Sequence, residues 1–254
     1  MKTWFITGAS RGFGGLIMEA ALATDAVVAT ARDPSSIADH PRLLKLPLDV
    51  TNEVQARDAA AKAIETFGRI DVLVNNAGYG LLGAIEEASA IEVERVFATN
   101  VFGLLNVTRA VLPYMRSQRS GHIINMSSIG GYASSHGWGI YCATKFAVEG
   151  ISEALSIELA PLGIHATVVE PGYFRTDFLS AQSLSSTAVR LDDYADTVGE
   201  MRTFAAAVNH QQPGDPQRLA QAIVQLAAAQ AADPSRARQR YGRAHRGEAS
   251  RRGA

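Results

Sequence analysis

Short apolar runs alternate with longer, more polar stretches of helical periodicity from residue 2 to about residue 170. The runs Lys2–Thr7, Ala26–Ala31, Leu43–Leu48, Asp71–Asn75, His122–Ser127 and Ile164–Glu170 are predicted strands. Val72-Leu73-Val74 and Ala166-Thr167-Val168-Val169 are apolar or β-branched at consecutive positions, which suits strands covered on both faces of a parallel sheet. Helix signals fill the gaps. Ser89-Ala90-Ile91-Glu92 has capping-box spacing, in which hydroxyl and carboxylate each satisfy a free backbone N–H. Gly68, Gly121 and Gly163 are placed to stop helices, because glycine enters the left-handed conformation cheaply. Two long helices are predicted, Phe102–Arg119 and Tyr141–Pro161, the first with Leu104, Leu105, Thr108 and Leu112 on one stripe. Strand–helix–strand units of this length close right-handed, so the expected fold is α/β: a six-stranded, doubly wound parallel sheet in three layers, α/β/α. The least periodic stretch, 174–214, is expected to cover a site as a lid, and Asp215–Ala232 is again helical in composition.

Composition narrows the function classes. The 254 residues are 47% hydrophobic and 19% charged, enough to bury one sizeable core and too apolar for a disordered chain. Aromatics are 7% and the formal charge is −1, so neither base-stacking surfaces nor a global basic field recommends nucleic acid. The charge is unevenly placed. From Asp233 onward seven arginines face two acids, a formal +5, which leaves −6 on residues 1–232. The tail has no Leu, Ile or Val and is expected to be disordered, and its Ala/Arg/Gly-rich composition fits either a natural variant or an altered reading frame. One domain over 1–232 followed by a basic 233–254 tail is the expected organisation. Cys142 is the only cysteine and the six histidines lack metal-ligand spacing, so neither a disulfide framework nor a metal site is expected. No uninterrupted apolar run approaches the roughly 20 residues of a membrane helix, and the stretch before the first glycine is too short for a signal peptide. A cytoplasmic protein that does not engage the membrane is expected.

Chemistry enters at the first strand-to-helix turn. Thr7-Gly8-Ala9-Ser10-Arg11-Gly12-Phe13-Gly14 gives G-x-x-x-G-x-G, where glycines permit a sharp turn and bring backbone N–H groups near a pyrophosphate. The second strand ends Ala29-Thr30-Ala31-Arg32, with no acid before Arg32 to take ribose hydroxyls. A guanidinium there suits a 2′-phosphate, with Arg11 as a second cation, so NADP is expected over NAD. The competing structural reading pairs Arg32 with Asp33 at the surface.

A second constellation lies further on. Tyr141 and Lys145 are four apart on a predicted helix and share a face. An ammonium beside a phenol favours phenolate, which lets the tyrosine exchange a proton with a carbonyl or alcohol oxygen near working pH. The fifth strand runs into Ser127-Ser128, at the end of the sheet where ligands bind.

With these residues the chain resembles the short-chain dehydrogenase/reductase family, in its branch of roughly 250 residues. The matching motifs are Thr7–Gly14, Leu48-Asp49-Val50, Asn75-Asn76-Ala77-Gly78, Asn100, Ser128, Tyr141 with Lys145, and Pro171-Gly172-Tyr173-Phe174-Arg175-Thr176. They fall in family order over residues 3 to about 177. The resemblance implies a Rossmann fold and an oxidoreductase acting on CH–OH groups with NAD(P). Tyr141 would be the general acid/base, Lys145 its partner and a ribose ligand, Ser128 the holder of the substrate oxygen, and Asn100 the anchor of a relay water. Ser128 rather than Ser127 has the family's spacing to the tyrosine. The implied cofactor contacts are Gly8, Ser10, Arg11, Gly12, Phe13, Gly14, Arg32, Asp49, Val50, Asn76, Ala77, Gly78, Tyr141, Lys145, Pro171, Gly172 and Thr176. Phe13 stands where a small aliphatic residue is usual, and the family's seventh, apolar strand is not found after Asp233. Relatives of this type pair through the two long helices, so a homodimer is expected, with a homotetramer as the alternative.

His136 and Trp138 fall in a segment that resembles the family's substrate wall, whereas Cys142 is expected to face elsewhere. Phe178, Leu179, Tyr194, Met201 and Phe204 make the 174–214 stretch apolar, which suits a small apolar ketone, aldehyde or alcohol. The Ala-Thr-Ala-Arg strand end and the 170–178 segment look similar to hydroxysteroid- and retinol-type members. Two other readings compete: a catalytically silent NADP-binding regulatory module, and a dehydratase or epimerase that uses the cofactor transiently. The silent module should lack one of Asn100, Ser128, Tyr141 or Lys145, and this chain has all four.

Overall fold

The computed structural model describes residues 1–229. In chain order its strands are β1 (Thr3–Thr7), β2 (Ala26–Ala31), β3 (Leu43–Pro47), β4 (Val72–Asn75), β5 (Gly80–Leu82), β6 (Gly121–Met126), β7 (Ile164–Val169) and β8 (Leu184–Ser186). Its helices are α1 (Gly12–Leu22), α2 (Glu53–Phe67), α3 (Ala90–Phe97), α4 (Leu104–Gln118), α5 (Gly139–Leu159), α6 (Glu200–Val208) and α7 (Pro216–Ala229). Six strands form a parallel sheet in the order β3-β2-β1-β4-β6-β7. The order reverses between β1 and β4, which opens a crevice at their carboxyl ends. Every residue of β1, β2 and β4 is buried, as their continuous apolar runs require.

Helices cover both faces. On one side Ala56, Ala59, Ala60 and Ala63 of α2, Val107 and Val111 of α4, and Leu155 and Leu159 of α5 pack with Phe5, Leu73 and Ile123 of the sheet. On the other, Ile17 and Ala21 of α1 and Ala220 and Ile223 of α7 pack with Ile6, Val74 and Ile124. The fold is a single-domain, three-layer Rossmann fold.

The Ser89/Glu92 capping box forms at the start of α3. Gly68 and Gly163 end their helical segments at φ 75° and 71°. Gly121 does not stop a helix: Arg119 takes the left-handed position after α4, at φ 51°, and Gly121 begins β6. Gly121 is there because a Cβ would lie 2.6 Å from Met115 Sδ. A six-residue π-helical turn, Ala98–Gly103, joins α3 to α4. The resulting run Ala90–Gln118 is, by length and composition, apolar enough to cross a bilayer, and 56% of its most apolar window is buried inside the protein.

The 174–214 stretch is more ordered than its sequence suggests. Turns at Asp177–Leu179 and Asp192–Tyr194 precede α6, and β8 pairs in parallel with β5 as a small second sheet. A buried ion pair pins this stretch down. Glu87, 1% exposed, binds Arg202 and accepts hydrogen bonds from the N–H groups of Ala84 and Leu191. The expected 233–254 tail lies outside the described residues.

Candidate active site

The β1–α1 turn is shaped by Gly8 and Gly12, both at positive φ. A side chain at Gly12 would meet no atom within 4 Å, so the loop there faces open space. The N-terminus of α1 has Arg11 at its cap position and no side-chain capping bond. Its first N–H groups are thus left without a side-chain acceptor, in the place where a phosphate binds helix ends. Gly14 does not reach the cleft wall. It packs against the loop, where a Cβ would lie 2.3 Å from the Gly8 oxygen. Thr7 Oγ1 accepts from the N–H groups of Asn76 and Ala77, and Asn76 Nδ2 donates to the Thr7 and Gly8 oxygens at 2.9 and 3.1 Å. The second motif therefore buttresses the first.

A cleft of about 1090 Å³ opens over the carboxyl ends of the strands. The implied cofactor residues other than Gly14 line it, from Arg32, Asp49 and Val50 at one end to Pro171, Gly172 and Thr176 at the other. That volume exceeds the usual range for a single small ligand and has room for an extended dinucleotide with a substrate beside it. Arg32 is exposed on the wall and makes no ion pair with Asp33 among the described residues; Asp33 accepts instead from Ser35 N. Arg11 is engaged, donating from Nη2 to the Gln182 oxygen at 2.7 Å. Asp49 Oδ1 accepts from Thr51 N and Oγ1.

The catalytic candidates gather near the other end. Ser128 and Tyr141 flank Gly130, where an added Cβ would lie 3.4 Å from Ser128 Oγ and 3.6 Å from the Tyr141 ring. Ser128 Oγ accepts from Gly130 N at 3.0 Å. Lys145 Nζ lies 5.7 Å from the Tyr141 ring centroid and donates to the Met126 oxygen at 2.8 Å. Asn100 is buried in the π turn and does not line the cleft. Its side chain accepts from Tyr79 N and donates to Tyr79 O and Thr144 Oγ1, tying the loop after β4 to α5.

Burial governs the protonation of this group. It pushes the Tyr141 phenol up, against a smaller downward pull from the Ser128 hydroxyl. It pushes Lys145 down to about 8, against the upward pull of Glu149. Burial thus works against the phenolate expected from the Tyr141–Lys145 spacing, and the Ser128 hydroxyl works for it. A neutral phenol beside a hydroxyl is equipped to give a proton to an oxygen.

The substrate side is apolar. Trp138 and Phe178 stack at 6.4 Å and each ring contacts Tyr141, at 5.7 and 5.5 Å. Leu82 and Ala205 are buried in this cluster, with Leu179, Leu184 and Met201 against it. Cys142, contrary to the expectation that it faces elsewhere, lines the cleft. His136 is exposed, Phe204 meets Tyr173 edge-on, and Tyr194 donates to Glu86. Tyr79, Arg95 and Gln182 also line the cleft and were not singled out from sequence. Tyr79 directly follows the Asn76-Ala77-Gly78 motif, and that adjacency is the sequence signal that points to it. No cluster of three metal-ligating side chains occurs among the described residues.

A parallel sheet with a glycine-rich turn, a dinucleotide-sized cleft and a Ser–Tyr–Lys group at one end defines a nicotinamide-dependent oxidoreductase. Residues 2–186 match the family model described as short chain dehydrogenase, and the chain belongs to that family. It is 42% identical over 225 residues to a 3-ketodihydrosphingosine reductase of Bacteroides thetaiotaomicron, covering 88% of this chain and 82% of the relative. A short-chain dehydrogenase from Streptomyces avermitilis superposes with a TM-score of 0.81 at 42% identity, over 89% of this chain and 84% of that one. A short chain dehydrogenase/reductase from Burkholderia phymatum, solved in complex with NAD, gives 0.79 at 27% identity, over 89% and 85%. The protein is an oxidoreductase of CH–OH and carbonyl groups that works with a nicotinamide cofactor.

Proposed function

We propose that the protein is an NADP(H)-dependent carbonyl reductase or alcohol dehydrogenase for a small apolar substrate, with Tyr141 as general acid/base. The observation that carries this reading is Tyr141 itself: a buried phenol between the Ser128 hydroxyl and the Trp138/Phe178 wall. Nicotinamide, when bound, supplies or accepts the hydride. Ser128 Oγ donates to the substrate oxygen and orients it. Tyr141 gives that oxygen its proton in reduction and takes it back in oxidation. Lys145 spends one N–H on Met126 O and keeps two to hold ribose hydroxyls. Asn100, set back from the cleft wall, acts through the loop after β4, which it ties to α5 by way of Tyr79 and Thr144.

The loop glycines and the uncapped α1 N-terminus hold the pyrophosphate, Asp49 and Val50 the adenine, and Thr176 the carboxamide. Arg32, exposed and without an ion-pair partner among the described residues, favours NADP over NAD. The segment 174–214 serves as a lid on the domain. Its aromatic and aliphatic lining, and the ketone reduced by the Bacteroides relative, favour an apolar ketone over a polyanion. The enzyme acts in the cytoplasm as a homodimer through α4 and α5. NADPH oxidation against a panel of ketones and aldehydes tests the reading: turnover of apolar ketones supports it, and no turnover of any carbonyl compound despite tight NADPH binding supports the silent module.

A further inference from the structure

One turn beyond Lys145 on α5 stands Glu149, and the reaction as described gives it no task. Residues four apart share a helix face, so the carboxylate and the ammonium lie on the same side of α5. Glu149 is half-buried, and its Oε1 is fully buried with no hydrogen-bond partner. Ser127 Oγ, buried as well and short of good hydrogen-bond geometry, is the hydroxyl that faces it. Both atoms converge on Gly131, where a Cβ would lie 2.5 Å from Ser127 Oγ and 2.8 Å from Glu149 Oε1. A side chain at that position would push the carboxylate and the hydroxyl aside. A buried carboxylate short of partners is expensive unless a cation offsets it. The buried cation on this face is Lys145, 7% exposed, held by the carbonyl of Met126, the residue next to Ser127.

We propose that Glu149 is a positioning residue for the carbonyl–alcohol reaction: lodged over Gly131 beside Ser127, its carboxylate acts through space, without a direct ion pair, to keep Lys145 charged. The inference rests on the assignment of Tyr141 and Lys145 above. The groups around the ammonium are Tyr141 and Glu149 from α5, the Met126 carbonyl from β6, and Asn100 from the turn before α4. Of these, Glu149 is the one that pulls Lys145 upward against burial. Glu149 is in turn pushed up by burial, held down by the Ser127 hydroxyl, pushed up by Glu170 beyond β7, and held down by Lys145. Removing the carboxylate takes away the upward pull on Lys145 and leaves burial unopposed.

The test is the pH profile of kcat for NADPH-dependent ketone reduction in the unmutated enzyme, Glu149→Gln and Glu149→Asp. Glu149→Gln should move the alkaline limb to lower pH by about one unit, since loss of a nearby opposite charge shifts a pKa by that order. Glu149→Asp should restore it. Should the amide variant fail to fold, Glu149→Ala is expected to give the same shift. An unmoved alkaline limb, or equal loss in Gln and Asp variants at every pH, overturns the proposal. Lys145→Ala, run in parallel, separates the two failures. If it retains activity the Tyr141–Lys145 assignment falls and this inference with it; if it is inactive while Glu149→Gln is unshifted, only the role of Glu149 falls.

Discussion

Arg11, at the mouth of the glycine loop, donates a hydrogen bond to the backbone oxygen of Gln182, 2.7 Å away and 171 residues along the chain. Two residues on, Phe13 meets the ring of Phe174 edge-on at 5.5 Å. The loop proposed to hold the cofactor thus grips the segment proposed to close over the substrate at two points. The bulky Phe13, unusual at its position by family resemblance, finds its use in the second grip.

Arg11→Ala should therefore have two effects. Charge-assisted hydrogen bonds contribute about 1.5–3 kcal/mol, so NADPH affinity should fall about tenfold or more. Amide exchange over residues 180–186 should accelerate in the cofactor-free protein. Unchanged affinity and unchanged exchange would refute the coupling.

The cofactor preference is a separate matter and turns on Arg32. NADPH should bind more tightly than NADH, and Arg32→Asp should reverse the order, because a carboxylate repels a 2′-phosphate and accepts from ribose hydroxyls. Calorimetry on both forms with both cofactors checks this. Equal affinities in the unmutated protein would contradict it.

Much of this architecture was legible in the sequence, for a physical reason. Strands such as Ala26–Ala31 are covered on both faces, so their apolar runs have sharp ends, and β2 has the limits its sequence predicts. The two three-residue strands Gly80–Leu82 and Leu184–Ser186 are too short to show a period, and the small sheet they form was not foreseen. Gly121 misled because glycine is the usual left-handed residue, yet Arg119 adopts that conformation. At the site, local motifs were enough to find residues that line the cleft. Glu87 and Arg202 were not, since 115 residues separate them and no spacing rule links them. Glu149 lay within reach of the four-residue rule that picked out Lys145.

The Glu87–Arg202 pair supports a stability prediction. Burial pushes the Glu87 carboxyl up, but Arg202 and the N–H groups of Leu191 and Ala84 overcome this and hold it at about 2. Removing one partner of a buried pair typically costs about 3–5 kcal/mol, so Arg202→Met should lower unfolding stability by that order. Replacing both, Glu87→Leu with Arg202→Met, should cost less. Urea unfolding measures each, and a single variant within about 1 kcal/mol of the parent would contradict the pinning role.

His122 gives the acid-side prediction. Burial, with His165 and Lys2 adding to it, pushes the imidazole from 6.5 down to about 3. The folded protein keeps it neutral while the unfolded chain protonates it below about 6.5. Its contribution is therefore complete above about pH 6.5 and is lost as pH falls from there toward 3. His122→Gln should show a shallower fall of Tm between pH 6.5 and 4. Parallel Tm profiles for the two proteins would refute it.

The central claim, that Tyr141 carries the transferred proton, is tested most directly by Tyr141→Phe. The substitution removes one oxygen from a buried ring and leaves the Trp138 and Phe178 contacts in place. Single-turnover NADPH oxidation with a good ketone substrate should slow by at least about 10²–10⁴-fold, while NADPH affinity stays within a few-fold of the parent. A variant that retains more than about a tenth of the parental rate would show that the proton comes from elsewhere.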